Sequence, residues 1–351
     1  MRKTILTAVA VLMALVLMTA SRPEGDSRTV YAGIAFYNLE NLFDTIDDPT
    51  KNDEDFTPNG SYYWGTMQYT HKLHNLSAVL SRLCTDRVRG GAAFIGLAEV
   101  ENATVLEDLC NEPELKEKGL QFIHYEGEDG RGIDVAALYN PKMFKPKHSE
   151  LIPATGYRAL SGGYATRGVL HIEGNMLGEN FHFLVNHWPS RRSESSAREF
   201  LGRIVRQIVD SIQQVEPDAR IVIMGDLNDD PDNKSITKAL GAKLNKKKIS
   251  SPQDLYDPWY KILRKKGQGT LMYDGMWNLF DQIIFTANIF NGNRSSFTFF
   301  KNEIFRPEWI TNTSGKLKGA PKRTTESGVW KDGYSDHFPT QIYLVKEITK
   351  P

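Results

Sequence analysis

Residues 220–230, R-I-V-I-M-G-D-L-N-D-D, constrain this chain more than any other stretch. Ile221 to Met224 are apolar and partly β-branched, the composition of a strand buried on both faces. The run leads into Gly225, then Asp226 and, two positions on, Asn228. Residues two apart in a strand share one side. Asp226 and Asn228 therefore point together into the crevice beyond a strand's carboxyl end, where open α/β sheets hold ligands. A carboxylate beside a carboxamide is a hard oxygen site, suited to Mg²⁺ or to a water and phosphate oxygens. The same pair also suits an Asx turn that simply closes the strand.

Other segments repeat this habit. Apolar runs predict strands over residues 30–37, 92–98, 121–125, 165–172, 181–186, 280–285 and 337–345. The strands over 165–172 and 181–186 are expected as neighbours joined by a turn near 174–178. Helical spacing predicts helices over 68–83, 104–110 and 193–215, the last with Phe200, Ile204, Ile208 and Ile212 on one face. Residues 44–65 are acidic and rich in turn formers, and predict a long loop. Residues 243–248 form a basic run expected in a solvated loop. Asn38, Glu99, His187, Asp226, Asn228, Asp336 and His337 all lie at or just past a strand end. Alternating helices and strands mixed with hairpin-like pairs predict an α/β chain of stacked sheets covered by helices.

The N-terminus has a different character. Arg2 and Lys3 precede an apolar run to Met18, followed by the small residues Thr19, Ala20 and Ser21. The run is short for a membrane span and fits a cleaved secretory signal over residues 1–21, leaving one domain over 22–351. Lys+Arg and Asp+Glu are both 43 in the 351 residues, so no global basic field exists, and a nucleic-acid ligand would need a local basic groove. Two cysteines, Cys84 and Cys110, could pair in an exported protein. Their helical contexts favour buried thiols.

The convergent set holds two histidines, several carboxylates and two carboxamides, with no Ser or Cys placed as a nucleophile. That argues against covalent acyl chemistry and fits metal-assisted hydrolysis. Glu99 and Asn38 can supply oxygens to Mg²⁺, while a His or an Asp activates water. Binding of a metal by the histidines is the other use for them, but their spacing gives no zinc signature. His187 precedes Trp188 and could instead pack under the indole. Asp281 lies inside an apolar strand, where a charge needs a partner. His337 is the imidazole it would orient.

The blocks F-Y-N-L-E-N-L-F-D, L-A-E-V-E-N, R-G-I-D-V-A-A-L-Y, V-N-H-W-P-S-R, M-G-D-L-N-D, F-D-Q-I-I-F and Y-S-D-H-F-P, in that order, resemble the endonuclease/exonuclease/phosphatase superfamily. The similarity runs from about Val30 to Val345 and is closest to secreted bacterial members. It implies a DNase I-like four-layer α/β sandwich, two central mixed sheets flanked by helices. It implies metal-site roles for Asn38, Glu99 and Asp336, and catalytic roles for Asp226, Asn228, His187, Asp281 and His337. Asn228, Arg167 and Asp134 would contact substrate. The implied cofactor is Mg²⁺, with Mn²⁺ or Ca²⁺ as alternatives. The implied partner is a phosphoester, with nucleic acid the leading class, acted on by a monomer. Phospholipid or small phosphomonoester hydrolysis is the rival, and a non-catalytic binding protein on the same fold is the rival from another class. The chain lacks the lipid-binding hairpin of sphingomyelinases, and its acidic loop over 44–55 would repel a polyanion.

Overall fold

Sixteen strands carry the architecture of the computed structural model, which describes residues 27–290 and 292–349. The expected signal segment lies outside these residues. The strands are β1 (Ser27–Leu42), β2 (Phe94–Val100), β3 (Gln121–His124), β4 (Asp134–Tyr139), β5 (Phe144–Ile152), β6 (Val169–Met176), β7 (Glu179–His187) and β8 (Ile221–Asp226). They continue as β9 (Leu255–Tyr256), β10 (Leu271–Tyr273), β11 (Met276–Asn278), β12 (Asp281–Thr286), β13 (Thr298–Ile304), β14 (Thr325–Glu326), β15 (Val329–Trp330) and β16 (Thr340–Thr349). One six-stranded sheet runs β13-β16-β1-β2-β4-β3 and the other runs β5-β6-β7-β8-β12-β9. β10 with β11, and β14 with β15, form small hairpins.

Each large sheet has one parallel pair at its centre, β1 with β2 and β7 with β8, flanked by antiparallel neighbours. The carboxyl ends of both central pairs, carrying Asn38, Glu99, His187 and Asp226, meet at one site. The sheets pack face to face through aromatic rings. Phe94 stacks on Phe183 with centroids 3.9 Å apart, and Phe144 meets both edge-on. Gly96 lets them approach, since a Cβ there would lie 2.5 Å from the Met224 sulfur.

Helices Thr66–Leu80, Ala103–Asn111 and Pro113–Lys118 cover the first sheet, and helix Ser195–Val215 covers the second. The four-layer α/β expectation holds. No helix among the described residues is long and apolar enough to cross a membrane. Cys84 and Cys110 are free thiols.

Two expectations need correction, and strands β5 and β13 are additions. β1 does not end at residue 37 but continues to Leu42 through a register shift after Asn38. β5 was not expected, because it is an edge strand with a mostly exposed polar sequence and Pro146 at a register shift. Finally, the buried face of helix Ser195–Val215 is Ala197, Arg198, Leu201, Gly202, Val205 and Val209. Phe200, Ile208 and Ile212 pack only at its margin. Arg198 hides this face in the sequence, and it is buried because Asp229 pairs with it at 2.9 Å. Gly202 hides it too, because it admits the backbone of Ser235.

Candidate active site

Strand register explains most of the cluster. His187 and Asp226 are partners at the ends of β7 and β8, and Asp281, the first residue of β12, faces Asp226 from the other side. His337 lies just before β16, which pairs with β1. Its Nδ1 is 2.7 Å from Asp281 Oδ2. Its Nε2 turns to Asp226 at 3.8 Å and Asp336 at 3.9 Å. Asp281 is fully buried, so a neutral partner would leave its charge uncompensated. Burial alone would lower the His337 pKa. The charges of Asp281 and Asp226, with the Asp281 hydrogen bond, outweigh it and hold the ring well above the ordinary imidazole value.

Asn38 joins the two sheets. Its Nδ2 donates to Asp226 Oδ2 at 3.0 Å and Glu99 Oε1 at 3.3 Å, while its Oδ1 accepts the Glu40 N–H. Glu99 Oε2 accepts the Asn41 N–H at 2.8 Å. Glu99 itself has φ 63°, a conformation uncommon for a side-chain-bearing residue and often retained at sites. Asn228, at φ 50°, donates its backbone N–H to Asp226 Oδ1 and its amide to the Trp188 carbonyl. Burial pushes the Asp226 carboxyl up to about 7, with His337 lowering it and Asp281 raising it.

His187 is not packed under Trp188. Its Nε2 lies 3.7 Å from Asp226 and 3.8 Å from Glu99, and its Nδ1 is buried without a hydrogen-bond partner among the described residues. Burial, then the charges of Arg167, Arg131 and His337, hold it well below the ordinary imidazole value.

The donor set suits a hard divalent ion. Glu99 and Asp226 converge on one amide, and neither has a Lys or Arg partner within 4.0 Å among the described residues. Carboxylate oxygens in that state match Mg²⁺, which takes one or two carboxylates and keeps waters for substrate to replace. Asp226, Asp281 and His337 also lie close enough together to hold an ion. Asp281 is already committed to His337 at hydrogen-bond distance, so Glu99 is the better candidate alongside Asp226; Asn38 turns its Nδ2 to both carboxylates and its Oδ1 to the Glu40 N–H, so here it positions them.

Around the cluster opens a cavity of about 670 Å³ lined by Glu99, Arg131, Arg167, His187, Asp226 and Asn228, among others. Arg167 reaches it but is anchored, by Asp129 at 2.6 Å and the Trp188 carbonyl at 3.2 Å. Asp134 does not reach it. Its carboxylate packs against Gly127 and faces His124 Nε2 at 3.2 Å, so it supports the sheet edge rather than contacting substrate. The R-G-I-D block instead contributes Arg131 to the lining.

Behind Asp336 lies a network the sequence did not disclose. Arg323 contacts Asp336 at 3.1 Å and Glu40 at 3.5 Å, and Glu40 accepts the Thr324 N–H. Lys72, fully buried, bonds Thr324 and the Tyr334 carbonyl. Burial raises Glu40 to about 7 and lowers Lys72 to about 8, each moderated by the other. The available signal was Lys72 itself, a cation in line with the buried Leu73, Leu76, Val79 and Leu80.

A model described as Endonuclease/Exonuclease/phosphatase family matches residues 33–346. No curated protein matches the chain. Among solved structures, a Bacteroides thetaiotaomicron endonuclease/exonuclease/phosphatase family protein is 16% identical, with TM-score 0.54 over 92% of this chain and 97% of that one. D. rerio TDP2 complexed with single strand DNA product is 14% identical, with TM-score 0.52 over 90% and 98%. The mannosyl-6-phosphatase of Bacteroides thetaiotaomicron VPI-5482 is 17% identical, with TM-score 0.53 over 89% and 99%. At these identities the likeness establishes the fold.

Proposed function

The chain belongs to the endonuclease/exonuclease/phosphatase family, and from that premise we propose that it is an exported, Mg²⁺-dependent phosphoester hydrolase, foremost a phosphodiesterase acting on nucleic acid or nucleotides. The observation that carries the proposal is the 2.7 Å Asp281–His337 pair, whose free Nε2 faces the same cavity as Glu99 and Asp226. Asp281 holds the ring with Nδ1 protonated, so Nε2 is the atom that gives or takes a proton. Asp226 and Asn228, fixed to each other, orient the attacking water opposite the leaving oxygen. His187, buried and held below the ordinary imidazole value by burial and the nearby arginines, contributes a directed hydrogen bond. Arg167 closes the phosphate side. A bound Mg²⁺, held by Glu99 and Asp226, whose carboxylates the Asn38 amide positions, would supply neutralisation of phosphate charge and stabilise the leaving oxygen.

Both a DNA-bound protein and a sugar phosphatase share the fold, which supports phosphoester chemistry and leaves the ester to be tested. Plasmid DNA, RNA, sphingomyelin and a p-nitrophenyl phosphodiester should be offered with Mg²⁺ and with EDTA. Mg²⁺-dependent release from DNA, RNA or the diester is expected. No release from any of them overturns the proposal, and release from sphingomyelin alone moves it to the phospholipid class. Export is supported by the basic and apolar N-terminal pattern. The mature protein should begin near Ser21 or Arg22, and an intact Met1 on secreted protein would refute a cleaved signal.

A further inference from the structure

Resting on that reading of the cavity, we propose that it contains a second phosphate subsite, formed by Arg192 and Arg131, which selects a diester carrying a neighbouring phosphate. The block N-H-W-P-S-R-R ends in two arginines with opposite fates. Arg191 is committed to structure. It donates to the Asn228 carbonyl at 3.2 Å and to Asn278 Oδ1 at 2.9 Å, pairs with Asp229 and Asp230, and lies 4.4 Å over the Phe280 ring. Arg192 lines the cavity, and its guanidinium has no hydrogen-bond, carboxylate or ring partner among the described residues. An arginine left without a partner beside a reaction cavity is free to take a planar, bidentate anion.

Arg131 lines the same cavity and is half-exposed. Its partner is Asp129 at 3.6 Å, and that carboxylate already serves Arg167 at 2.6 Å. Arg167, itself 6% exposed, keeps an Nε without a hydrogen-bond partner among the described residues. The helix Ser195–Val215 begins on this wall, where Ser193, Glu194 and Ser196 line the cavity. Its N-cap residue Glu194 makes no side-chain cap bond, so the first-turn N–H groups add positive potential. Glu194 is the acid on this wall, and it forms no ion pair with Arg192. The cavity thus carries both signs: Glu99 and Asp226 on its lining attract a cation, and Arg131, Arg167 and Arg192 on the same lining attract anions. One phosphate held beside the carboxylates with the cation would leave Arg192, which has no other partner among the described residues, for a second.

The test compares two thymidine dinucleotides with the same scissile diester, one with a 5′-phosphate and one without, in Mg²⁺. The wild type should favour the phosphorylated dinucleotide in kcat/KM by about ten-fold or more, the scale of one charge-assisted contact. Arg192→Gln should bring that ratio towards one, chiefly by raising KM for the phosphorylated form, and Arg131→Gln should lower it as well. Both side chains are exposed, so circular dichroism should show folded variants. A wild type with no preference, or an Arg192→Gln loss equal for both dinucleotides, overturns the subsite while leaving the hydrolase proposal standing. If the wild type hydrolyses no phosphoester at all, the function itself has failed and the subsite falls with it.

Discussion

Asn38 and Glu99 reach the cluster from the first sheet through broken register, whereas His187, Asp226 and Asp281 reach it from the second through unbroken register. Pairing of β1 with β2 shifts after Asn38, and pairing of β2 with β4 shifts between Ala98 and Val100, on either side of Glu99. Glu40, Asn41 and Glu99 all have positive φ. Such irregularities re-aim side chains next to sites. In the second sheet the functional residues are simply the last registered pairs, His187 with Asp226 and Asp226 with Asp281. Glu99, proposed to hold the metal, is therefore aimed by backbone conformation, and Asp281, proposed to orient His337, by the ladder. The first should respond to backbone changes, the second to side-chain chemistry.

The largest effect is expected where the second sheet's Asp281 holds His337, which comes from the segment before β16 of the first sheet. His337→Ala should lower kcat by about 10²–10⁴-fold, the usual contribution of general acid–base catalysis. Asp281→Asn should cost less, because a misoriented ring still acts. Groups that work as one unit are strongly non-additive, so the double variant should be hardly worse than His337→Ala. If the two single losses multiply, the residues act independently and the dyad is wrong. If His337→Ala mainly raises KM with kcat nearly kept, Asp226 is the base and His337 only contacts phosphate.

On the first sheet, Glu99→Gln keeps the shape and removes the charge. The Mg²⁺ concentration for half-maximal activity should rise by about 10–100-fold, at least the cost of losing a group that supports a metal site. The wild type should gain about 2.7 kcal/mol of stability at Mg²⁺ a hundred-fold above its Kd, and the variant should gain much less at the same concentration. Unchanged activity at limiting Mg²⁺ removes Glu99 from the ion's ligands.

The same contrast governs what the amino-acid order discloses. Asp281 was legible because a charge in an apolar strand demands a partner, and Asp226 because it ends an apolar strand. These are ladder properties, and ladders follow local pattern. Asn228 was not legible in this way, since it lies beyond β8 at φ 50° and its N–H closes an Asx turn on Asp226 Oδ1, so alternation does not fix its side. The extension of β1 to Leu42 was not legible, since positive φ at Glu40 and Asn41 is set by the tertiary bonds of Glu99 and Asn38. Asp134 was misplaced because R-G-I-D fixes a block but not which of its polar residues faces the cavity. The differing fates of Arg191 and Arg192 depend on partners far along the chain, Asn228 and Asn278, so adjacency alone could not separate them.

The smallest effect tests the backbone control of Glu99 directly. Asn41 has φ 56°, its N–H donates to Glu99 Oε2 at 2.8 Å, and its carbonyl accepts from Phe43. No hydrogen bond of its side chain is among those of the site, so its conformation matters more than its amide. Glycine adopts positive φ freely, and Asn41→Gly should leave both the melting temperature and the Mg²⁺ requirement nearly unchanged. A β-branched residue is poorly tolerated there. Asn41→Val must either keep the strained φ, at about 1–2 kcal/mol, or relax and withdraw the N–H from Glu99. The first outcome lowers the melting temperature alone, and the second also raises the Mg²⁺ requirement. Either response, set against an unaffected Asn41→Gly, locates the control in the backbone. If valine and glycine behave alike in both measurements, the conformation at Asn41 does not aim Glu99, and the difference between the two sheets is one of side chains after all.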